Sequence, residues 1–232
     1  VEEIRKMGGA TATVEFGSTL GDESAGFYLH NAHGVKLHRL PLPIGLNGTD
    51  RFFDLLSKLS SRPVPQKYEK ARGRLIDAMV DGHKYVSGKK AVVYGEEDLV
   101  VGLCSFLSEI GIKPILCASG GKSGRFEEAV VAELADYDDV NPLVREGVDF
   151  YDIEERAVQL GVDLLIGHSK GYTFSRKHNI PLIRVGFPVH DRIGGQRILH
   201  LGYHGAQQLF DSIANTFIEK KQNDSDVGYS YM

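Results

Sequence analysis

The chain has 232 residues, of which 42% are hydrophobic, so it can bury a core and predicts one or two domains. Its net charge of -4 gives no electrostatic case for a nucleic-acid partner. Cys104 and Cys117 are too few and too poorly spaced for a disulfide framework or a zinc site, which is typical of a reducing, cytoplasmic compartment. No apolar run reaches membrane-spanning length and no signal peptide opens the chain, so no membrane partner is expected.

The first 87 residues predict part of an α/β domain with a long connecting helix. The predicted elements are a helix over 1–7, strands over 10–16 and 35–40 around a helix over 23–33, and helices over 50–60 and 67–85. Prolines and glycines in 40–48 predict irregular structure, after which Thr49 is expected to cap the next helix. Because the chain opens at Val1 inside what resembles a helix tail, we expect it to be the downstream part of a longer protein.

From Gly88 onward, strands and helices alternate regularly. The predicted strands cover 91–94, 113–118, 148–151, 162–166 and 181–185. The predicted helices cover 97–110, 125–135, 153–160 (capped by Asp152), 172–179 and 205–220. The fold class expected is therefore α/β, with Rossmann-like, doubly wound parallel sheets. A partial domain over 1–87 precedes a complete five-stranded domain over 88–232, which ends in a helix and tail.

Two loops follow the last two predicted strands, GHSKG at 167–171 and GFPVHDRIGG at 186–195. In a doubly wound sheet, ligands or partners bind beyond the carboxyl ends of the strands. These two loops are therefore the predicted binding region.

Three short motifs suggest chemistry only weakly. YGEEDLVVG after the first strand lacks the GxGxxG pattern of a dinucleotide site, and GGKSG at 120–124 has Leu116 where a P-loop needs its first glycine. Ser169 matches GxSxG, and Asp191 with His200 or His204 could complete a hydrolase triad. Such short matches arise easily. The pattern identifies no catalytic and no cofactor-binding residue in this chain, and Cys104 and Cys117 are expected in the core.

Asp77 and Asp81 are four residues apart on the long helix, so their carboxylates project from one face. They could bind a hard cation such as calcium if a second chain supplied further ligands. Alternatively they pair with Arg74, Lys84 or solvent, which the residues alone favour. His190, His200 and His204 do not form a recognisable ligand set.

Several longer motifs point further than these. RGRLIDAMVDGH at 72–83, DLLIGHSKG at 163–171, GFPVHDR at 186–192 and LGYHG at 201–205 occur together and in this order. The chain resembles, over essentially its whole length, the β-type subunits of the nitrogenase component 1 superfamily. Within these it is most similar to NifN, the β-like subunit of the NifEN cofactor-assembly scaffold, on VHDRIGGQR (189–197) and the ending 207–232. The alternative is NifK, the β chain of the nitrogenase molybdenum–iron protein, a redox enzyme subunit; the dark-operative protochlorophyllide reductase is a more distant relative.

The resemblance implies three α/β domains in the full protein, with the cluster-binding cysteines in a first domain that this chain lacks. It implies that the chain is not an enzyme alone and binds no cofactor itself. The full-length complex would carry an iron–sulfur cluster and an iron–molybdenum cofactor precursor. The implied partners are a NifE-like α-type subunit in an α2β2-type heterotetramer and, transiently, the nitrogenase reductase component. By the same resemblance, Asp77 and Asp81 match positions of an intersubunit cation site between two β chains, whereas His168 departs from an asparagine of the relatives.

Overall fold

The computed structural model describes residues 1–226 and consists of two α/β units joined by long helices. The helices are α1 (Glu2–Lys6), α2 (Ala25–His33), α3 (Gly45–Ser60), α4 (Gln66–Val86), α5 (Glu97–Glu109), α6 (Phe126–Glu133), α7 (Phe150–Leu160), α8 (Tyr172–His178) and α9 (Gly202–Asn223). The strands are β1 (Ala12–Phe16), β2 (Lys36–Leu40), β3 (Lys90–Gly95), β4 (Lys113–Ser119), β5 (Leu143–Arg145), β6 (Leu164–Gly167) and β7 (Leu182–Arg184). The predicted α/β class with parallel sheets is confirmed.

The first unit is a βαβ arrangement in which β1 and β2 pair in parallel, with α2 as the crossover. Ser24 caps α2 by accepting a hydrogen bond from the Phe27 N–H at 3.2 Å. Gly34 ends α2 in the left-handed conformation (φ 70°), where a glycine avoids the strain that a Cβ would cause.

The helix predicted to begin at residue 50 begins five residues earlier. Thr49 is not its cap: it lies within α3, is buried, and donates its hydroxyl to the Pro43 carbonyl at 3.2 Å. The cap comes from Glu109, whose carboxylate accepts from the N–H groups of Leu46 (2.7 Å) and Asn47 (2.8 Å). The first N–H groups of α3 thus have an acceptor from a distant part of the chain. The helix can therefore begin at Gly45 and include Gly48.

The second unit contains a five-stranded parallel sheet of order β5-β4-β3-β6-β7. β3 is buried on both faces: Ala91 and Val93 pack into one core, and Val92 and Tyr94 into the other. This double burial explains the continuous apolar run in its sequence.

The strand predicted over 148–151, the third of this sheet, is wrong. Residues 148–151 instead lead into α7, because the Asp149 carboxylate caps that helix through the N–H groups of Tyr151 (2.8 Å) and Asp152 (3.1 Å). Asp152, the predicted cap, is the third residue of the helix. The edge strand is formed by Leu143–Arg145, which pairs with β4.

The connecting helix α4 packs along α9 and contributes Leu75 and Val86 to the larger core. At their crossing, the Gly82 Cα faces the Phe210 ring so closely that an added Cβ would lie 2.6 Å from it. The division predicted between residues 87 and 88 stays a prediction. The helix that precedes it shares its core with the second sheet.

Candidate functional site

The strand order reverses between β3 and β6, which is the point where doubly wound sheets bind ligands beyond the carboxyl ends of their strands. Glu96, directly after β3, accepts hydrogen bonds from the N–H groups of Asp98 (3.2 Å) and Leu99 (3.0 Å). On the β6 side, the Tyr94 hydroxyl donates to the His168 carbonyl at 2.8 Å. The N-terminus of α5, where a dinucleotide pyrophosphate would bind, is thus already capped by a carboxylate of the chain.

In the GGKSG loop at 120–124, carboxylates of the chain also accept hydrogen bonds from backbone N–H groups. Glu97, which is buried, accepts from the Ser123 N–H at 3.2 Å, and Glu146 accepts from the Gly124 N–H at 3.2 Å. Backbone N–H groups that a phosphate would need are therefore bonded within the chain. This arrangement favours the polar turn over a phosphate-binding loop.

His168 lies at the end of β6, with its ring packed edge-on against Tyr94 (5.2 Å between centroids) and Phe150 (5.6 Å). Its Nδ1 is buried and has no hydrogen-bond partner within the described residues. Burial, with a smaller contribution from the charge of Lys170, lowers the pKa of His168. Its imidazole is therefore neutral at neutral pH and acts here as an aromatic packing element.

Ser169 does not have the contacts of a nucleophile. Its hydroxyl donates to the Pro188 carbonyl (2.9 Å) and accepts from the His190 N–H (3.1 Å). Both bonds fasten the loop after β6 to the loop after β7. The hydroxyl has backbone partners on both its donor and acceptor sides, which leaves it poorly placed to attack a substrate.

The other residues of the possible triad are engaged elsewhere. Asp191 accepts a two-pronged interaction from Arg184, with Nη2–Oδ2 at 2.6 Å and Nε–Oδ1 at 2.8 Å. His200 lines a cavity of about 330 Å³ between β7 and α9, and burial lowers its pKa. The His204 ring contacts Gln208 at 3.3 Å on the same helix. No hydrogen bond joins Ser169, a histidine ring and an acid in the part of the chain described, so the hydrolase triad is not assembled.

The loop after β7 and the approach to α9, residues 186–201, form what we call the carboxyl-edge segment. It carries an unusual number of large apolar side chains in water. Phe187 is 74% exposed and Ile193 is fully exposed, and further members are also exposed: Ile198, Leu199 and Leu201. Exposed apolar side chains grouped in one segment are typical of interaction surfaces. The segment includes the GFPVHDRIGG loop predicted to bind ligands or partners.

Asp77 and Asp81 lie on the exposed face of α4, together with Val80, which is 71% exposed. Neither aspartate forms an ion pair with Arg74 or Lys84 within residues 1–226. The same described part of the chain contains no group of three or more His, Cys, Asp or Glu side chains placed to hold a metal ion. The two carboxylates therefore face solvent.

A half-buried carboxylate cluster at the junction of the two units has no signal in the local sequence. Glu109 of α5 caps α3, and Glu133 at the end of α6 accepts from Arg51 (2.9 Å) and Ser105 (3.0 Å). Burial raises the pKa of Glu109 to about 7; its two backbone N–H donors oppose this, while Asp50 and Glu133 add to it. Nothing in the local sequence around Glu109 signals its role, because its partners lie more than 60 residues earlier.

Asp50 completes this junction from the other side of α3. It accepts a forked interaction from Arg72 (Nη2–Oδ2 2.9 Å) and a hydrogen bond from the Tyr203 hydroxyl (2.6 Å). Three helices, α3, α4 and α9, are thereby joined at one carboxylate. Burial raises the pKa of the Tyr203 phenol, and its hydrogen bond with Asp50 raises that pKa further. The contacts of Asp50 with Arg72 and Tyr203 therefore hold helices together.

No helix within the described residues has the length and hydropathy needed to cross a bilayer. The family profile described as "Nitrogenase component 1 type Oxidoreductase" matches residues 1–218. The nitrogenase molybdenum-iron protein beta chain of Clostridium pasteurianum is 33% identical over 97% of this chain and 49% of its own length. The nitrogenase iron-iron protein beta chain of Rhodobacter capsulatus is 34% identical over 96% of this chain and 49% of its own length.

A solved structure, "Nitrogenase Cp1 at pH 6.5", superposes with a TM-score of 0.94 at 31% identity, covering all of this chain and 50% of its own. The chain therefore spans about half the length of the relatives it matches.

Proposed function

The chain belongs to the nitrogenase component 1 type oxidoreductase family, and we propose that it is the part of a β-type subunit that builds subunit contacts. In this role it leaves cluster ligation to other parts of the complex. The observation that carries the proposal is the likeness to proteins named beta chains, at 33–34% identity over nearly the whole of this chain. The two solvent-facing carboxylates of α4 and the exposed carboxyl-edge segment agree with a role in subunit contacts.

The partner in this proposal is an α-type subunit, within an α2β2-type heterotetramer that the reductase component visits transiently. The carboxyl-edge segment supports it, because exposed side chains such as Phe187 and Ile193 favour burial against another protein. Its charged residues Arg192 and Arg197 are also exposed, as at the rim of an interface.

An interface test follows from this surface. Ile193→Asp combined with Leu199→Asp should weaken copurification with a co-expressed α-type subunit by at least about tenfold. Val131→Asp on α6, where Val131 is also more than half exposed, is the matched control and should copurify normally. Equal recovery of partner by the double variant and the control would show that the segment lies outside the subunit interface.

Two finer assignments remain open to experiment. The names of the relatives favour the β chain of a nitrogenase, a redox enzyme subunit. The segment VHDRIGGQR and the ending of the chain favour the NifN-type scaffold subunit, which with NifE holds an iron–sulfur cluster and a cofactor precursor. Either assignment gives the chain the same β-type position beside an α-type partner.

Anaerobic co-expression of the full-length protein with each candidate α-type partner separates them. Iron and sulfide content, the visible spectrum and substrate reduction are measured on the purified complexes. Preferential assembly with the catalytic α chain, with electron-rich clusters and substrate reduction, would establish the nitrogenase β chain. Assembly with NifE, a spectrum of the [4Fe–4S] kind and the ability to mature the cofactor would establish the scaffold subunit. Failure to assemble with either partner would contradict both.

Asp77 and Asp81 extend the proposal to a cation. We propose that they supply part of a calcium-type site completed by a neighbouring chain. Two carboxylates fall short of the six to eight oxygen ligands that calcium takes. Their exposure and lack of partners within residues 1–226 leave both side chains available for it.

A further inference from the structure

The two cysteines of the chain, which lie 13 residues apart in sequence, meet in the core of the second unit. Cys104 lies on α5 and Cys117 on β4, and both side chains are completely buried. Their Sγ atoms are 3.2 Å apart, close enough for one thiol to donate to the other. A disulfide bond would need the two sulfur atoms to approach by only about a further 1 Å.

We propose that Cys104 and Cys117 form a peroxide-responsive dithiol, which hydrogen peroxide converts to an intrachain disulfide. The contact is imposed by the fold, because α5 turns back through Ile110–Ile112 to lie on β4. Whichever sulfur is oxidised first therefore already touches its resolving partner. The oxidant must be small and uncharged, since neither sulfur is accessible to water.

The reaction balances with peroxide as the sole oxidant. One cysteine, as its thiolate, attacks the peroxide O–O bond; an S–O bond forms, the O–O bond breaks, and hydroxide leaves to take up the proton that the thiol lost. The resulting sulfenic acid is then attacked by the second sulfur. The S–S bond forms, the S–O bond breaks, and water leaves with the proton of the second thiol. In total, two thiols and one peroxide give one disulfide and two waters.

The residues around the two cysteines determine whether a sulfenic acid becomes the disulfide or is oxidised further. The larger core around the pair is lined by apolar side chains such as Val100, Leu107 and Phe126. Burial, the contact with Cys117 and the charge of Glu133 all raise the pKa of Cys104, so the first step is slow compared with that of an exposed cysteine. The second step is fast because the partner is in contact. A sulfenic acid should therefore disappear into the disulfide before it reacts with a second peroxide.

The test uses the purified reduced protein, exposed to hydrogen peroxide, then denatured, alkylated and mapped by mass spectrometry. Trypsin leaves both cysteines in one peptide because Lys113 precedes Pro114, whereas cleavage after Glu109 separates them. We expect a cross-linked pair of peptides, lighter by two hydrogens than the sum of the free ones. Reduction should restore the two separate peptides. A bulky charged thiol reagent should label neither cysteine in the native protein.

Cys117→Ala removes one of the two thiols, leaves Cys104 without a resolving partner, and is the matched variant. In it, Cys104 should be trapped by a sulfenic-acid probe or carried on to sulfinic acid, both of which should be low in the wild type. The wild-type protein gives an independent measurement should the variant fold poorly: unfolding in urea should shift to higher urea after oxidation, since a short loop is closed. The proposal is overturned if wild-type Cys104 or Cys117 becomes sulfinic acid, or pairs with another cysteine. It is equally overturned if both stay reduced under peroxide that oxidises the urea-unfolded chain.

Discussion

Glu109 is a single carboxylate on which the docking of a whole helix depends. It is half-buried and caps α3 through the N–H groups of Leu46 and Asn47. Burial raises its pKa from 4.5 to about 7 in the folded protein. The folded state therefore binds more protons than the unfolded state between these two values. The stability contributed by this group is fully present below about pH 4.5 and is lost as the pH rises through about 7.

Replacing Glu109 by Gln tests this sign. The variant keeps an oxygen acceptor for the cap but does not titrate. Its urea unfolding free energy should fall less than that of the wild type between about pH 5 and about pH 8, by on the order of 2–3 kcal/mol. Other titrating groups are the same in both proteins, so the difference between the two curves isolates Glu109. Parallel curves would mean that the carboxylate is ionised throughout this range.

Ser169→Ala separates a structural serine from a nucleophile. The hydroxyl joins the loops after β6 and β7 through Pro188 and His190. Its removal leaves the His190 N–H without this acceptor, whereas the Pro188 carbonyl keeps the Ser169 N–H at 3.0 Å, and should cost about 1–3 kcal/mol in urea unfolding. Ser60→Ala, at an exposed position on α3, is the control and should change stability by less than about 0.5 kcal/mol. An ester hydrolysis activity that disappears in Ser169→Ala would instead revive the hydrolase interpretation.

At the scale of elements, replacing either of two glycines of α4 by alanine should change the stability of the protein in opposite directions. Gly82 lies against the Phe210 ring of α9, where an added Cβ would come within 2.6 Å. Gly73 has nothing within 4 Å of its Cβ position. Gly73→Ala should therefore stabilise the protein by about 0.5–1 kcal/mol through helix propensity. Gly82→Ala should destabilise it by about 1–3 kcal/mol, because the helices must separate or the ring must move.

Thermal unfolding of both variants measures the effect, and each serves as the control for the other, since both make the same substitution in one helix. Stabilisation by both changes would mean that α4 and α9 are not tightly packed.

The elements that sequence reasoning found are those whose cause is local. β3 and β6 were predicted because strands buried on both faces keep unbroken apolar runs. The early start of α3 could not be predicted, since its cap is Glu109, 62–63 residues later in the chain. β5 could not be predicted because it is an edge strand of three residues that pairs only with β4. Its sequence is no more typical of a strand than the residues at the start of α7.

At the scale of the whole molecule, the class of fold followed from the alternation of strands and helices, and the family from motifs spread along the chain. The contacts between the two units could not be predicted from the sequence. Asp98 at the start of α5 accepts from the N–H groups of Ser18 (2.6 Å) and Thr19 (2.8 Å), some 80 residues earlier. Such pairings depend on the relative position of the two units, about which hydrophobic periodicity carries no information. By contrast, the position of Asp77 and Asp81 on one exposed face of α4 followed from helical spacing alone.

The two aspartates give a prediction that only an assembled protein can answer. If they share a calcium-type ion with a neighbouring β-type chain, the contact between the two β-type chains of the α2β2-type complex should weaken by about tenfold or more when a chelator removes the ion. Asp77→Asn with Asp81→Asn should show the same weakening without chelator, because neutral amides are poorer ligands for a hard cation. The double variant should then respond no further to chelation.

Asp211→Asn, an exposed aspartate on α9, is the control and should keep the wild-type response. The measurement is the mass of the complex by light scattering over a dilution series, with and without added calcium. Since two carboxylates alone make a weak site, calcium should not bind measurably to the isolated chain in calorimetry. A double variant that responds to the chelator as strongly as the wild type would place the ion elsewhere and leave the α4 face as a solvated surface.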